Sequence, residues 1–213
     1  MSKYTEYANR EEWLAGRQHT LGASEVASAL GMGFVSQLEL WKEKTGRKAR
    51  TDLSENERVQ YGTAAEEHLR GLFALQFKDK YDVEYHAYRV YQHEKYPFMT
   101  CTLDAELTDK ENGERGIWEC KTAKIMNKRD LDDWDGRIKQ SYYCQVCSQL
   151  EVTQWDFVIV TVQLIMPDNN SEIRHYTIRA EETAEDREYI VKEVSQFWKY
   201  VSNNMSPPIK LQL

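Results

Sequence analysis

The chain has 213 residues, 41% of them hydrophobic, enough for one domain that buries most of its surface, which makes two domains the poorer reading. Its 35 acidic and 28 basic residues leave a net charge of −7, so a uniformly basic nucleic-acid binder is excluded and any DNA contact must use a local patch. No apolar run reaches the length of a membrane span, and the opening MSKYTEYANREEW lacks signal-peptide character, so a cytoplasmic protein with no membrane partner is expected.

In chain order, Asn9 and Glu12 stand at capping-box spacing ahead of a helix over residues 10–16. Ser24 reads as the N-cap of a short apolar helix over 25–30 closed by Gly31, and Ser36 caps another that ends at Gly46. A hydroxyl at a helix N-terminus with Arg17 one loop upstream suits a phosphate, and equally describes a capped surface helix. Arg17 has a second reading, as the partner of a carboxylate such as Glu25. Arg47, Lys48 and Arg50 form the clearest basic cluster. Ser54 and Glu57 repeat the capping-box spacing before a long helix over 55–77, with Val59, Leu69, Leu72 and Phe73 on its apolar face. Gly62 interrupts this helix at a cost of about 1 kcal/mol against alanine, which suggests close packing or a nearby ligand. Glu66 and Glu67 lie one turn further on.

Residues 81–93 alternate in strand fashion. The segment 98–122, FMTCTLDAELTDKENGERGIWECKT, reads as two strands joined by a polar turn at 109–114. With Asn112 and Gly113 as the two loop residues, Asp104 pairs with Lys121 and Glu106 with Glu119. Asp104, Glu119 and Lys121 then share one face, while Trp118 and Cys120 point to the other. Two carboxylates and an ammonium crowded on a strand surface are costly, and a hard divalent cation relieves the conflict; a solvated hairpin with a salt bridge is the plainer alternative. Residues 123–136 look irregular and charged, with Lys124, Lys128 and Arg129 able to meet phosphates and Trp134 able to stack or pack. A helix over 137–151, an apolar strand over 155–166, a turn at Pro167, Asp168, Asn169 and Asn170, a partner strand over 172–178 and an amphipathic helix over 183–201 complete the chain. The order ααα–βββ–α–ββ–α indicates an α/β domain with a central mixed β-sheet flanked by helices.

Four cysteines include one C-x-x-C pair, Cys144 and Cys147, with no second pair at zinc-ribbon spacing. With Cys101 and Cys120 they read as reduced thiols, and no iron–sulfur cluster is expected. The five histidines are scattered without ligand spacing.

Four motifs in order carry a family resemblance: Arg17 with ASE at 23–25, the G-x-x-x-E of Gly62 and Glu66, TLD and ECK giving Asp104, Glu119 and Lys121, and YYCQV giving Tyr142 and Gln145. From about residue 17 to 152 the chain resembles the lambda-exonuclease/YqaJ-type viral recombinases of the PD-(D/E)xK nuclease superfamily. Where that family shows S-P-D-G this chain has Thr102, Leu103, Asp104 and Ala105, which keeps a hydroxyl and the carboxylate but loses the proline and glycine. Glu67 competes with Glu66, and spacing from Gly62 favours Glu66. The resemblance implies a restriction-endonuclease-like core in a single nuclease domain, with N-terminal helices over 9–78, a catalytic core over 79–180 and a C-terminal helix over 183–202. It implies a Mg²⁺-dependent (or Mn²⁺-dependent) exonuclease that digests one strand of linear duplex DNA from its 5′ end, leaving 3′ tails for recombination. Asp104, Glu119, the Cys120 carbonyl and Glu66 would bind metal, and Lys121 would act on the attacking water. Arg17, Ser24, Thr102, Tyr142 and Gln145 would contact phosphates. A trimeric ring, an annealing-protein partner and a phage or prophage setting complete the expectation. The alternatives are an endonuclease or repair nuclease on the same core, and a non-enzymatic acidic DNA mimic.

Overall fold

The structure, a computed structural model, describes residues 3–168 and 170–208. Asn169, in the expected turn before the last strand, lies outside the described residues.

Nine strands form two sheets among the described residues. The five-stranded mixed sheet runs β3 (Tyr81–Glu84), β6 (Ala105–Asp109), β7 (Arg115–Lys124), β8 (Phe157–Ile165), β9 (Ser171–Arg179). Only its β7–β8 pair is parallel. A parallel pair needs a crossover, and the chain between those strands supplies it as α5 (Lys128–Asp132) and α6 (Gln140–Thr153). The second sheet has four strands in the order β1 (Lys3–Glu6), β4 (Arg89–Gln92), β5 (Met99–Cys101), β2 (Leu21–Gly22).

The alternation of β7 assigns its faces. Trp118 packs with Ala105, Leu107, Phe157 and Ile159 beneath Leu69 and Phe73 of α4 (Glu57–Gln76). Ile117 faces the opposite layer, where Val146, Cys147 and Leu150 of α6 meet Ile190, Val194 and Phe197 of α7 (Ala184–Ser202). The helices therefore sandwich the mixed sheet, as the sequence pattern predicts. Cys101, Cys144 and Cys147 are buried in this second layer, and all four cysteines are free thiols.

Several expectations are corrected. The strand expected over 81–93 is broken between β3 and β4, which belong to different sheets. The first hairpin strand is likewise split: β5 lies in the four-stranded sheet, β6 in the five-stranded one, and Thr102–Leu103–Asp104 is the crossing between them. The hairpin turn is longer than two residues. Gly113 N–H bonds the Asp109 carbonyl at 2.8 Å, the Asp109 carboxylate accepts from Glu111 N–H at 2.9 Å, and Gly113 takes a φ of +76°. Ala105 consequently pairs with Trp118 and Glu106 with Ile117, two residues away from the expected register. A slip of two preserves which residues share a face, so Glu119 and Lys121 still lie opposite Trp118 and Cys120. Glu106 is withdrawn from the set, held by Arg89 at 2.9 Å, Arg115 at 2.8 Å and the Tyr91 hydroxyl at 2.5 Å.

Asn56, rather than Ser54, caps α4, its side chain accepting from Arg58 and Val59 N–H. Ser24 sits inside a 3-10 turn (Ala23–Glu25) ahead of the four-residue α2 (Val26–Ala29), so it caps no extended helix and the helix-dipole argument for anion binding lapses. The segment expected to be irregular contains α5, and Trp134 packs in the core with Val162 and Leu164.

Candidate active site

β6 begins opposite Trp118, so beyond that point the β6 side of β7 has no strand neighbour. Asp104, the last residue of the crossing, fills part of the gap: its Oδ2 accepts the Cys120 N–H at 2.8 Å. The N–H and C=O of one strand residue point to the same side, so the Cys120 carbonyl is also directed past the end of β6. Two further elements, α4 and α6, converge on this edge. From one face α4 brings Glu66, whose Oε1 accepts from Arg70 Nη1 at 3.1 Å; the same nitrogen donates to the Asp104 carbonyl at 3.1 Å. Glu67 is exposed, whereas Glu66, the glutamate that spacing from Gly62 favours, is half-buried at this edge. A Cβ at Gly62 would lie 3.4 Å from Thr122 Oγ1, an ordinary contact that brings α4 close to β7 without forbidding a side chain. On the other face lie Glu119 and Lys121, joined in an ion pair, with α6 covering them.

Glu119 is 2% exposed and fully engaged. Gln145 Nε2 donates to its Oε1 at 2.6 Å and Gln149 Nε2 to its Oε2 at 2.5 Å. Tyr142, one turn before Gln145, places its ring 5.2 Å from the Lys121 ammonium and stacks on Trp134. Sequence reasoning missed Arg70 and Gln149. Each lies four residues beyond a predicted site residue on the same helix face, which is the signal that could have found them.

The electrostatics reflect crowding. Burial, reinforced by the Glu119 charge, holds the Asp104 carboxyl well above the ordinary range. Burial also raises Glu66, with Arg70 opposing the rise. At Lys121 burial works against the charge, but Glu119 and Asp104 outweigh it and hold the ammonium above its usual value. These side chains are near neighbours, the carboxylates committed to protein donors and the Lys121 ammonium to Glu119. Among the described residues no group of three or more His, Cys, Asp and Glu converges into a metal cage. The donor set is nonetheless one for a hard divalent ion: carboxylate and carbonyl oxygens whose mutual repulsion such an ion would relieve.

Beside this edge lies a cavity of about 30 Å³ lined by Arg17, Gly22, Ser24, Thr102 and Gln145, among others. Four of the five residues expected to contact phosphates thus meet in one place, while Tyr142 stands against Lys121 instead. Arg17 Nη2 donates to Ser24 Oγ at 3.1 Å and its guanidinium lies 4.8 Å from the Trp13 ring centroid. Gln145 belongs to both places, bonding Glu119 and lining the cavity.

The family model for the YqaJ-like viral recombinase domain matches residues 12–156. The chain belongs to that family. The uncharacterized protein YqaJ of Bacillus subtilis (strain 168) is 28% identical over 145 residues, which make up 68% of this chain and 42% of that protein. The match therefore spans less than half of its relative. The family member also shares its fold with an alkaline exonuclease, LHK-Exo from Laribacter hongkongensis, at a TM-score of 0.67 and 19% identity, covering 91% of this chain and 93% of that one. LHK-Exo in complex with dAMP gives a TM-score of 0.68 with the same identity and coverage. The mixed α/β architecture, a sheet flanked by helices, is thus shared with that alkaline exonuclease. Among the described residues no helix is long and apolar enough to cross a membrane.

Proposed function

We propose that this protein is a divalent-metal-dependent deoxyribonuclease that digests one strand of linear duplex DNA from its 5′ end, exposing 3′ single-stranded tails for phage or prophage recombination in the bacterial cytoplasm. The observation that carries the reading is the adjacency of two constellations: Asp104, Glu119, Lys121 and Glu66 at the open edge of β7, and Arg17, Ser24 and Thr102 around the neighbouring cavity, with Gln145 shared. The similarity to an alkaline exonuclease and the recombinase family support it.

Asp104, Glu119, the Cys120 carbonyl and Glu66 would hold Mg²⁺ or Mn²⁺. When bound, such an ion supplies Lewis-acid chemistry toward a phosphoryl oxygen. Lys121, fixed by Glu119 and the Tyr142 ring, faces the same edge, where its ammonium offsets charge building on the phosphate and orients the attacking water. Gln145 and Gln149 keep the Glu119 carboxylate in one orientation. Arg17 offers a fork of donors to a terminal phosphate, with the Ser24 and Thr102 hydroxyls beside it. Holding the terminus there sets the next phosphodiester over the carboxylates, which makes cleavage exonucleolytic. The reading includes a ring-shaped homotrimer that threads DNA and hands its tail to an annealing protein.

The test is digestion of linear duplex labelled at the 5′ or the 3′ end, with and without Mg²⁺, beside a circular duplex. Early release of the 5′ label, Mg²⁺ dependence and an intact circle are expected. Cleavage of the circle would replace this reading with an endonuclease on the same core.

A further inference from the structure

One buried carboxylate stands next to the cavity and takes no part in lining it. Glu25 is 8% exposed, and its Oε2 accepts the Gly22 N–H at 2.8 Å and lies 2.8 Å from Lys44 Nζ. The Lys44 side chain, from α3 (Gln37–Lys44), is itself 5% exposed and also donates to the Arg17 carbonyl at 3.0 Å. Arg50 approaches the other oxygen at 3.9 Å from a side chain more than half exposed. Arg17 lies within reach of the same carboxylate: a Cβ on Gly22 would meet Arg17 Nη2 at 3.2 Å and Glu25 Oε2 at 3.4 Å. Yet among the described residues no carboxylate forms an ion pair with Arg17, whose fork turns to Ser24 and the cavity.

We propose that Lys44 is a positioning residue of the terminal-phosphate cavity: by neutralising Glu25 it keeps that carboxylate from capturing Arg17, and so leaves the Arg17 guanidinium free for a phosphate monoester. This rests on the reading of the cavity given above. The physical ground is that a buried carboxylate does not stay unpaired. Three cations surround Glu25, and the one bonded at short range within the protein is Lys44. Arg50 is too exposed and too distant to replace it, so without Lys44 the nearest desolvated cation is Arg17. An internal ion pair there would compete directly with the incoming anion. Both charges are on neighbouring surfaces of one glycine, so the exchange needs side-chain rotation and no backbone movement.

The experiment reads the ratio of digestion rates on 5′-phosphorylated and 5′-hydroxyl linear duplex, which a merely structural role would leave unmoved. Lys44→Met should lower that ratio by about tenfold, as loss of a charge-assisted phosphate contact does. Lys44→Arg should retain it, and the double variant Lys44→Met with Glu25→Gln should recover it, because the competing charge is then gone. Glu25→Gln alone should leave the ratio at or above wild type, and this variant tests the proposal even where Lys44→Met fails to fold. An unchanged ratio in Lys44→Met, no recovery in the double variant, or a tenfold loss in Glu25→Gln overturns the role of Lys44. A wild-type ratio near one that Arg17→Ala does not alter overturns the cavity reading and this proposal with it. Loss of the preference in Arg17→Ala together with its retention in Lys44→Met overturns the proposal alone.

Discussion

Among the described residues the Asp104 carboxylate accepts one hydrogen bond, from the Cys120 N–H, whereas Glu119 is gripped by a lysine and two glutamines. Removing Asp104 would therefore take away a proposed metal donor without unpicking the network that fixes the site. Asp104→Ala is expected to abolish cleavage and sharply weaken Mg²⁺ binding by calorimetry while duplex binding persists, since the cavity contacts lie elsewhere; undiminished Mg²⁺ affinity would remove Asp104 from the ligand set. Lys121→Ala should keep the fold and slow the chemical step by about 10²–10⁴-fold in single-turnover assays, the usual scale of acid–base or charge-stabilising groups. Near-normal turnover would leave Lys121 with only its ion pair to Glu119. The positions of Asp104, Glu119 and Lys121 on one edge were readable from strand alternation, and Glu66 from its spacing to Gly62. The partners that orient them were not. Arg70 and Gln149 are of residue types that normally face water, and nothing local to the sequence says that tertiary packing turns them inward.

α4 is the element that ties the core to the site. Its buried side chains, Leu69 and Phe73, press on Trp118 from one face of β7, and one turn away Glu66 and Arg70 reach the edge of the same strand. Phe73 is 1% exposed and its ring lies 5.9 Å from that of Trp118. Phe73→Ala should destabilise by about 3–5 kcal/mol in urea unfolding, and should lower activity more than stability alone accounts for, because α4 then loses its seat on β7. A variant of full activity and near-native midpoint would show that α4 is positioned from elsewhere. The helices that carry this packing are legible from apolar spacing, although α4 is capped by Asn56 and not by Ser54. The strand breaks are not, because a change of sheet is decided by which distant strand offers a partner. β2, two residues paired in parallel with β5, and β1, paired with β4, leave no pattern long enough to detect. Register in the hairpin failed for a related reason: Asn112-Gly113 favours a two-residue loop, but the Asp109 carboxylate organises a longer one.

At the scale of the molecule, an acidic chain that digests DNA as proposed would have to hold a polyanion without being repelled by it. Its net charge of −7 disfavours general affinity for DNA, so sustained digestion would need a geometric hold rather than electrostatic adhesion. A closed ring supplies one, since threaded duplex cannot leave sideways. The outward side of α4 offers apolar surface for such closure: Leu72 is 54% exposed and Leu75, one turn on, 69%. Light scattering should therefore give a mass three times the 25.1 kDa of the chain, and Leu72→Glu with Leu75→Glu should reduce it to one chain mass if that face is the contact. The proposed ring would also dictate kinetics. Excess unlabelled duplex added after digestion begins should leave engaged molecules to run to completion in the wild type, and should halt the dissociated variant within a few turnovers. A single-chain mass for the wild type would remove the ring while leaving the chemistry at β7 intact. Processive digestion by that monomer would place the hold on DNA within one chain.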